Sequence, residues 1–145
     1  MDVQLLRETF RAAVDANPRL VHDFYFGHLF RDHPELHDGP DSLFPEDMRD
    51  QEARLGQTLV LAMEHLEDST WLKATLEELG RRHAVLYRVR PEMFPWVGRA
   101  LLDTLAQAVP GWDSRCQDEW TVLVGTIADL MLTGYPDRQV AQPAT

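Results

Sequence analysis

Cysteine is nearly missing from this chain of 145 residues: Cys116 stands alone, so no internal disulfide and no paired-cysteine motif can form. Lysine is almost as scarce. One lysine and 13 arginines face 24 carboxylates, for a net charge of −10. An acid surplus of this size repels phosphate backbones and anionic bilayers, which argues against nucleic-acid and membrane-surface roles and leaves small or neutral ligands open. No apolar run approaches the ~20 residues of a membrane span. The start, Met-Asp-Val-Gln-Leu-Leu-Arg-Glu, lacks the basic and apolar regions of an export signal, so the expectation is a cytoplasmic protein. Gly/Ser-rich linkers, composition shifts and internal repeats are also absent. One domain over residues 1–135 and a flexible tail over 136–145 follow.

What is present is 44% hydrophobic residues, enough for one sizeable core. They recur at three and four positions, and the alternation of strands is missing, which predicts an all-α fold. Asn17-Pro18, Pro45-Glu46-Asp47, Ser69-Thr70, Pro91-Glu92 and Asp113-Ser114 read as helix starts. With Asn17, Gly39-Pro40-Asp41-Ser42, Glu67 to Ser69 and Pro110-Gly111 as stops, they predict helices near 3–15, 18–32, 46–66, 71–86, 91–108 and 113–133, with a short turn after His33-Pro34.

Three polar groups fall on apolar stripes. His83 fills the gap in Leu72, Leu76, Leu79 and Leu86; Gln51 lies one turn before Leu55 in a stripe running to Leu66; Tyr25 lies between Val21 and Leu29. Each has an ordinary reading. A backbone carbonyl can satisfy the histidine, the phenol can reach the rim, and the amide can sit at a wet edge. All three in one bundle suit a planar apolar cofactor with one coordinating nitrogen and a polar opposite side. A di-iron site wants carboxylates three residues before its histidines, and none is there. His33 and His37 straddle Pro34 without a third zinc ligand, and neither a Gly-rich phosphate cradle nor Gly-x-Ser-x-Gly occurs.

Phe24-Tyr25, His33-Pro34-Glu35-Leu36, Asp50-Gln51, Arg82-His83, the run Arg90-Pro91-Glu92-Met93-Phe94-Pro95-Trp96-Val97-Gly98, and Trp120 occur in that order, with 32 positions from Gln51 to His83. Over residues 5–133 this resembles the globin domain of flavohaemoglobins and the related single-domain bacterial haemoglobins. The resemblance implies a globin fold, a helical sandwich around b-type haem (iron protoporphyrin IX), with His83 as the proximal iron ligand. Tyr25 and Gln51 would face the bound gas, Leu55 would crowd it, and Phe44 would stack on the haem, with Leu43 as the neighbouring alternative. Leu79, Leu86, Val89, Phe94 and Val97 would line the proximal side.

Dioxygen, nitric oxide and carbon monoxide are the implied ligands. A phenol donor beside dioxygen that has drawn charge from iron makes a charge-assisted hydrogen bond worth about 1.5 to 3 kcal/mol. The family also turns nitric oxide into nitrate. The family's flavin and nicotinamide reductase domain has no counterpart within these 145 residues, so the expectation is that such a cycle draws on an external electron-donating reductase; a non-enzymatic oxygen carrier or gas sensor, and a globin-like interaction module, are the other readings. A homodimer is compatible with each. Where flavohaemoglobins place a tyrosine and a glutamate behind the proximal histidine, the matching positions hold Phe94 and Tyr135. A phenol in place of that carboxylate implies a less electron-rich iron.

Overall fold

Helix is the only regular structure in the computed structural model, which describes residues 1–136. In chain order the helices are α1 (Val3–Ala16), α2, α3 (Arg49–Glu64), α4 (Ser69–Val85), α5 (Phe94–Ala108) and α6 (Ser114–Leu132). The helix α2 is composite: an α-helical turn Leu20–His22, a π-helical segment Asp23–Leu29, and a final turn Phe30–Asp32. Short 3-10 turns at Pro34–Leu36 and Pro91–Met93 complete the set. The all-α expectation holds. Nine of the ten tail residues expected to be flexible, 137–145, lie outside the described residues.

Local chemistry explains the boundaries. Asp2, Asp68 and Asp113 each accept a hydrogen bond from the backbone N–H three residues on, at Leu5, Trp71 and Cys116. Each satisfies one of the donors a helix start leaves unpaired. Two starts therefore fall within a residue or so of expectation, at α1 and α6, and α4 opens two residues before its predicted start. Three residues later than expected are α5, which opens at Phe94 behind the 3-10 turn Pro91–Met93, and α3. Asp47 turns its carboxylate to the Arg49 guanidinium at 2.6 Å and to the Arg49 N–H at 3.1 Å, so the helix begins at Arg49 instead of residue 46.

Two buried clusters result. At the base, Leu6, Ala13, Leu20, Met63, Leu66, Leu105, Val109, Trp120 and Leu123 pack together from five helices and the turn after α3. Above it, Phe24, Tyr25, Leu29, Phe30, Leu36, Met48, Met93 and Ala100 form an aromatic-rich group, flanked by partly buried Val21, Leu43, Phe44, Leu55, Val89 and Trp96. The backbone of α4 rests directly on α6: a Cβ at Gly80 would collide with the Met131 carbonyl, and one at Gly134 with the Glu77 carbonyl. Only glycine permits so close a crossing, and it fixes the helix that carries His83. No helix among the described residues is long and apolar enough to cross a membrane.

Candidate functional site

The candidate polar residues lie on α2, α3 and α4. In the π segment of α2, the backbone N–H of Phe30 reaches the Tyr25 carbonyl five residues back, and Phe24, Tyr25, His28 and Leu29 are all buried. Such segments recur at functional sites. Tyr25 is 3% exposed. Its ring meets Phe24 and Phe44 edge-on and Phe30 in a stacked arrangement.

The Tyr25 hydroxyl accepts a hydrogen bond from Gln51 Nε2 at 3.0 Å, across from α3. Gln51 Oε1 in turn accepts from Arg54 Nη2 at 2.8 Å. The phenol has one proton of its own to donate, and among the described residues no acceptor takes it. Burial pushes the phenol up to about 12, against the opposing effect of the Gln51 hydrogen bond. Tyr25 is therefore a protonated donor throughout the ordinary pH range.

On α4, His83 is partly buried and its Nδ1 lies 2.8 Å from the Leu79 carbonyl one turn earlier. A carbonyl only accepts, so the proton resides on Nδ1 and Nε2 keeps a bare lone pair. Desolvation lowers the imidazole pKa, outweighing the Leu79 bond, and favours this neutral form. Between α3 and α4 runs a cleft of about 340 Å³ whose wall includes Thr58, Leu61, Leu76, Leu79 and Arg82. Thr58 follows Leu55 by three residues, and Leu79 and Arg82 bracket the turn that leads to His83.

The remaining expected residues divide into two groups. Leu55, Phe44 and Val89 are half-buried against the aromatic cluster, with Leu43 beside them. Phe44 makes ring contacts with both Tyr25 and Phe30. Leu86 and Val97 are more open, at 62% and 37% exposure. For Leu86 the stripe reading stops short: α4 ends at Val85, the N–H groups of Leu86 and Tyr87 both return to the Arg82 carbonyl, and Arg88 takes a positive φ of 56°. A leucine beyond the last helical residue no longer follows the helical face.

Phe94 lies edge-on to Tyr135. The Tyr135 hydroxyl donates to the Val89 carbonyl at 2.7 Å, while the Val89 N–H donates to the His83 carbonyl at 2.8 Å. Tyr135 thus braces the segment after His83 and does not take the imidazole proton, which goes to Leu79. Arg54 and Gly80 are the site residues that stripe analysis missed. Arg54 is exposed and Gly80 has no side chain, so neither marks an apolar face. His33 and His37 stack on Trp96 and Phe30, and no group of three ligating side chains suited to a metal occurs among the described residues.

The arrangement is an all-helical one, with a partly buried histidine on α4 and a phenol–amide pair linking α2 and α3. The model of the globin family matches residues 23–131, and the chain belongs to that family. Over 131 residues, 90% of its length, it is 29% identical to "Globin, polymeric component P3" of Glycera dibranchiata and covers 81% of that protein. "Globin, major polymeric component P1" of the same organism is 28% identical over the same share of each chain. Membership implies a haem-based protein that binds a diatomic gas such as dioxygen.

Proposed function

We propose that the chain holds haem b through His83, binds dioxygen reversibly, with nitric oxide and carbon monoxide as alternative ligands, and converts nitric oxide to nitrate when an external reductase supplies electrons. The setting proposed is the cytoplasm, and a homodimer is compatible with it. The observation that carries the reading is the Tyr25 hydroxyl: buried, accepting from Gln51, and with its own proton uncommitted.

The residues present fit haem. His83 offers a bare Nε2 fixed in tautomer by Leu79, and half-buried Leu55, Phe44 and Val89 beside the aromatic cluster offer apolar surface that a planar apolar group would cover. When bound, haem supplies an iron centre that takes diatomic gases and exchanges single electrons. The protein does the rest. Tyr25 donates its proton toward a gas in the site, and Gln51 orients that hydroxyl. Leu55 and Phe44 keep water out; Leu79, Val89 and Phe94 support the proximal side. The nearer kinship with bacterial haemoglobins rests on the motifs quoted from the sequence.

Absorption spectra of the ferric, reduced and carbon monoxide forms, beside a His83→Ala variant, test the reading. A Soret band with histidine-ligated ferrous and carbonyl forms, lost or altered in the variant, is expected. Failure to take up haem on reconstitution contradicts it. A single burst of nitrate from the oxygenated protein does not separate an enzyme from a carrier; sustained nitrate production with a reductase present supports the enzyme, and its absence leaves the carrier.

A further inference from the structure

We propose that Arg54 is a positioning residue that sets the direction of the Tyr25–Gln51 hydrogen bond and so decides whether the phenol proton points at a bound gas or at the amide. The inference rests on the reading that Tyr25 and Gln51 face that gas.

A glutamine side chain can present either its NH2 or its carbonyl to a neighbour, and a phenol can either accept or donate. The Tyr25–Gln51 pair alone therefore has two arrangements. In one, the amide donates to the phenol oxygen and the phenol proton is left over. In the other, the amide carbonyl captures that proton and nothing remains for a ligand. A guanidinium has only donors. With Arg54 Nη2 at 2.8 Å from Gln51 Oε1, the carbonyl is held away from Tyr25, and Nε2 is the group left at 3.0 Å from the hydroxyl.

Of the eleven other described arginines, eight, at 7, 31, 49, 81, 82, 90, 99 and 115, form ion pairs with carboxylates, and what sets Arg54 apart is its hydrogen bond to a side-chain amide. Asp50, four residues before Arg54 on the same helix, offers the usual i,i+4 partner. Arg54 instead reaches the neutral amide one turn back. A cation on an exposed helix next to an available acid, yet bonded to an amide whose other end touches a buried phenol, is placed for orientation more than for surface charge.

The test uses the full chain as Arg54→Met, Arg54→Lys, Gln51→Leu and the Arg54→Met/Gln51→Leu double variant. The first readout is the pair of Gln51 side-chain amide NMR signals, recorded with or without haem. Arg54→Met should move them and speed their exchange with water, and Arg54→Lys should hold them near wild type. The second readout is the C–O stretch of the haem-loaded carbon monoxide form. Arg54→Met should add a higher-frequency band matching that of Tyr25→Phe, and oxygen release should quicken roughly three- to tenfold, the scale of one net hydrogen bond.

In the Gln51→Leu background, which has no Gln51 amide to observe, Arg54→Met should change neither the C–O stretch nor the oxygen-release rate further. Unmoved amide signals in Arg54→Met overturn the proposal, as does an equal effect in the Gln51→Leu background, which would mean that Arg54 acts by charge alone. A chain that takes up no haem refutes the functional reading, while the amide signals still decide the role of Arg54.

Discussion

The two clusters of this molecule treat their polar groups in opposite ways. At the base, the Trp120 indole N–H donates to Thr9 Oγ1 at 2.8 Å, and the Thr9 hydroxyl passes its own proton to the Leu5 carbonyl at 2.7 Å. Every donor there ends on an acceptor inside the protein, and Trp120 is 1% exposed. In the upper cluster the chain Arg54, Gln51, Tyr25 ends on a phenol whose proton goes to no described residue. Closed hydrogen-bond chains make a core; an open one makes a binding site.

Three measurements break or sharpen that contrast. The largest effect is expected from Trp120→Ala, which empties the centre of the base and strips Thr9 of its donor. A loss of about 3 to 5 kcal/mol should appear in denaturant unfolding, while the gas-release rate of the remaining folded protein stays within about twofold of wild type, the shift of a sub-kcal/mol perturbation. A large kinetic change would mean that the clusters are not independent.

A smaller effect is expected at high pH. The Tyr25 phenol rises from 10.0 to about 12 in the folded protein, so the folded state holds the proton more tightly than the unfolded chain. Its contribution is whole below pH 10 and is lost as pH rises toward 12, by roughly 3 kcal/mol at most. Unfolding free energies at pH 8 and pH 11 should therefore differ less in Tyr25→Phe than in wild type. An equal alkaline loss in both would show that the phenol is not sequestered as the upper cluster requires.

How much of this was legible in the sequence follows from which signals are local. The start at Asp113 rests on a side chain and a backbone N–H three residues apart and was read as such, while the equivalent caps at Asp2 and Asp68 were not; α-helical periodicity placed Tyr25, Gln51 and His83 on inward stripes. The π winding of α2 has no such local mark, whereas His28, 4% exposed, lies three residues after Tyr25 and four after Phe24, so helical spacing alone turns it inward and its burial was legible but unread. At Leu86 the same periodicity ran past the true helix end, because the turn through Arg88 is set by bonds back to Arg82 and His83. Gly80 and Tyr135 act through contacts with distant segments, Met131 and Val89. Arg54 reads in the sequence as one more surface charge; only the geometry of its neighbours reveals its direction.

The central claim is that the open end of the upper hydrogen-bond chain serves a bound gas, and oxygen dissociation from wild type and Tyr25→Phe tests it most directly. With the donor gone, release should accelerate roughly ten- to 150-fold, the equivalent of about 1.5 to 3 kcal/mol for a charge-assisted hydrogen bond, with little change in stability at neutral pH. Release from Tyr25→Phe no faster than from wild type would contradict it.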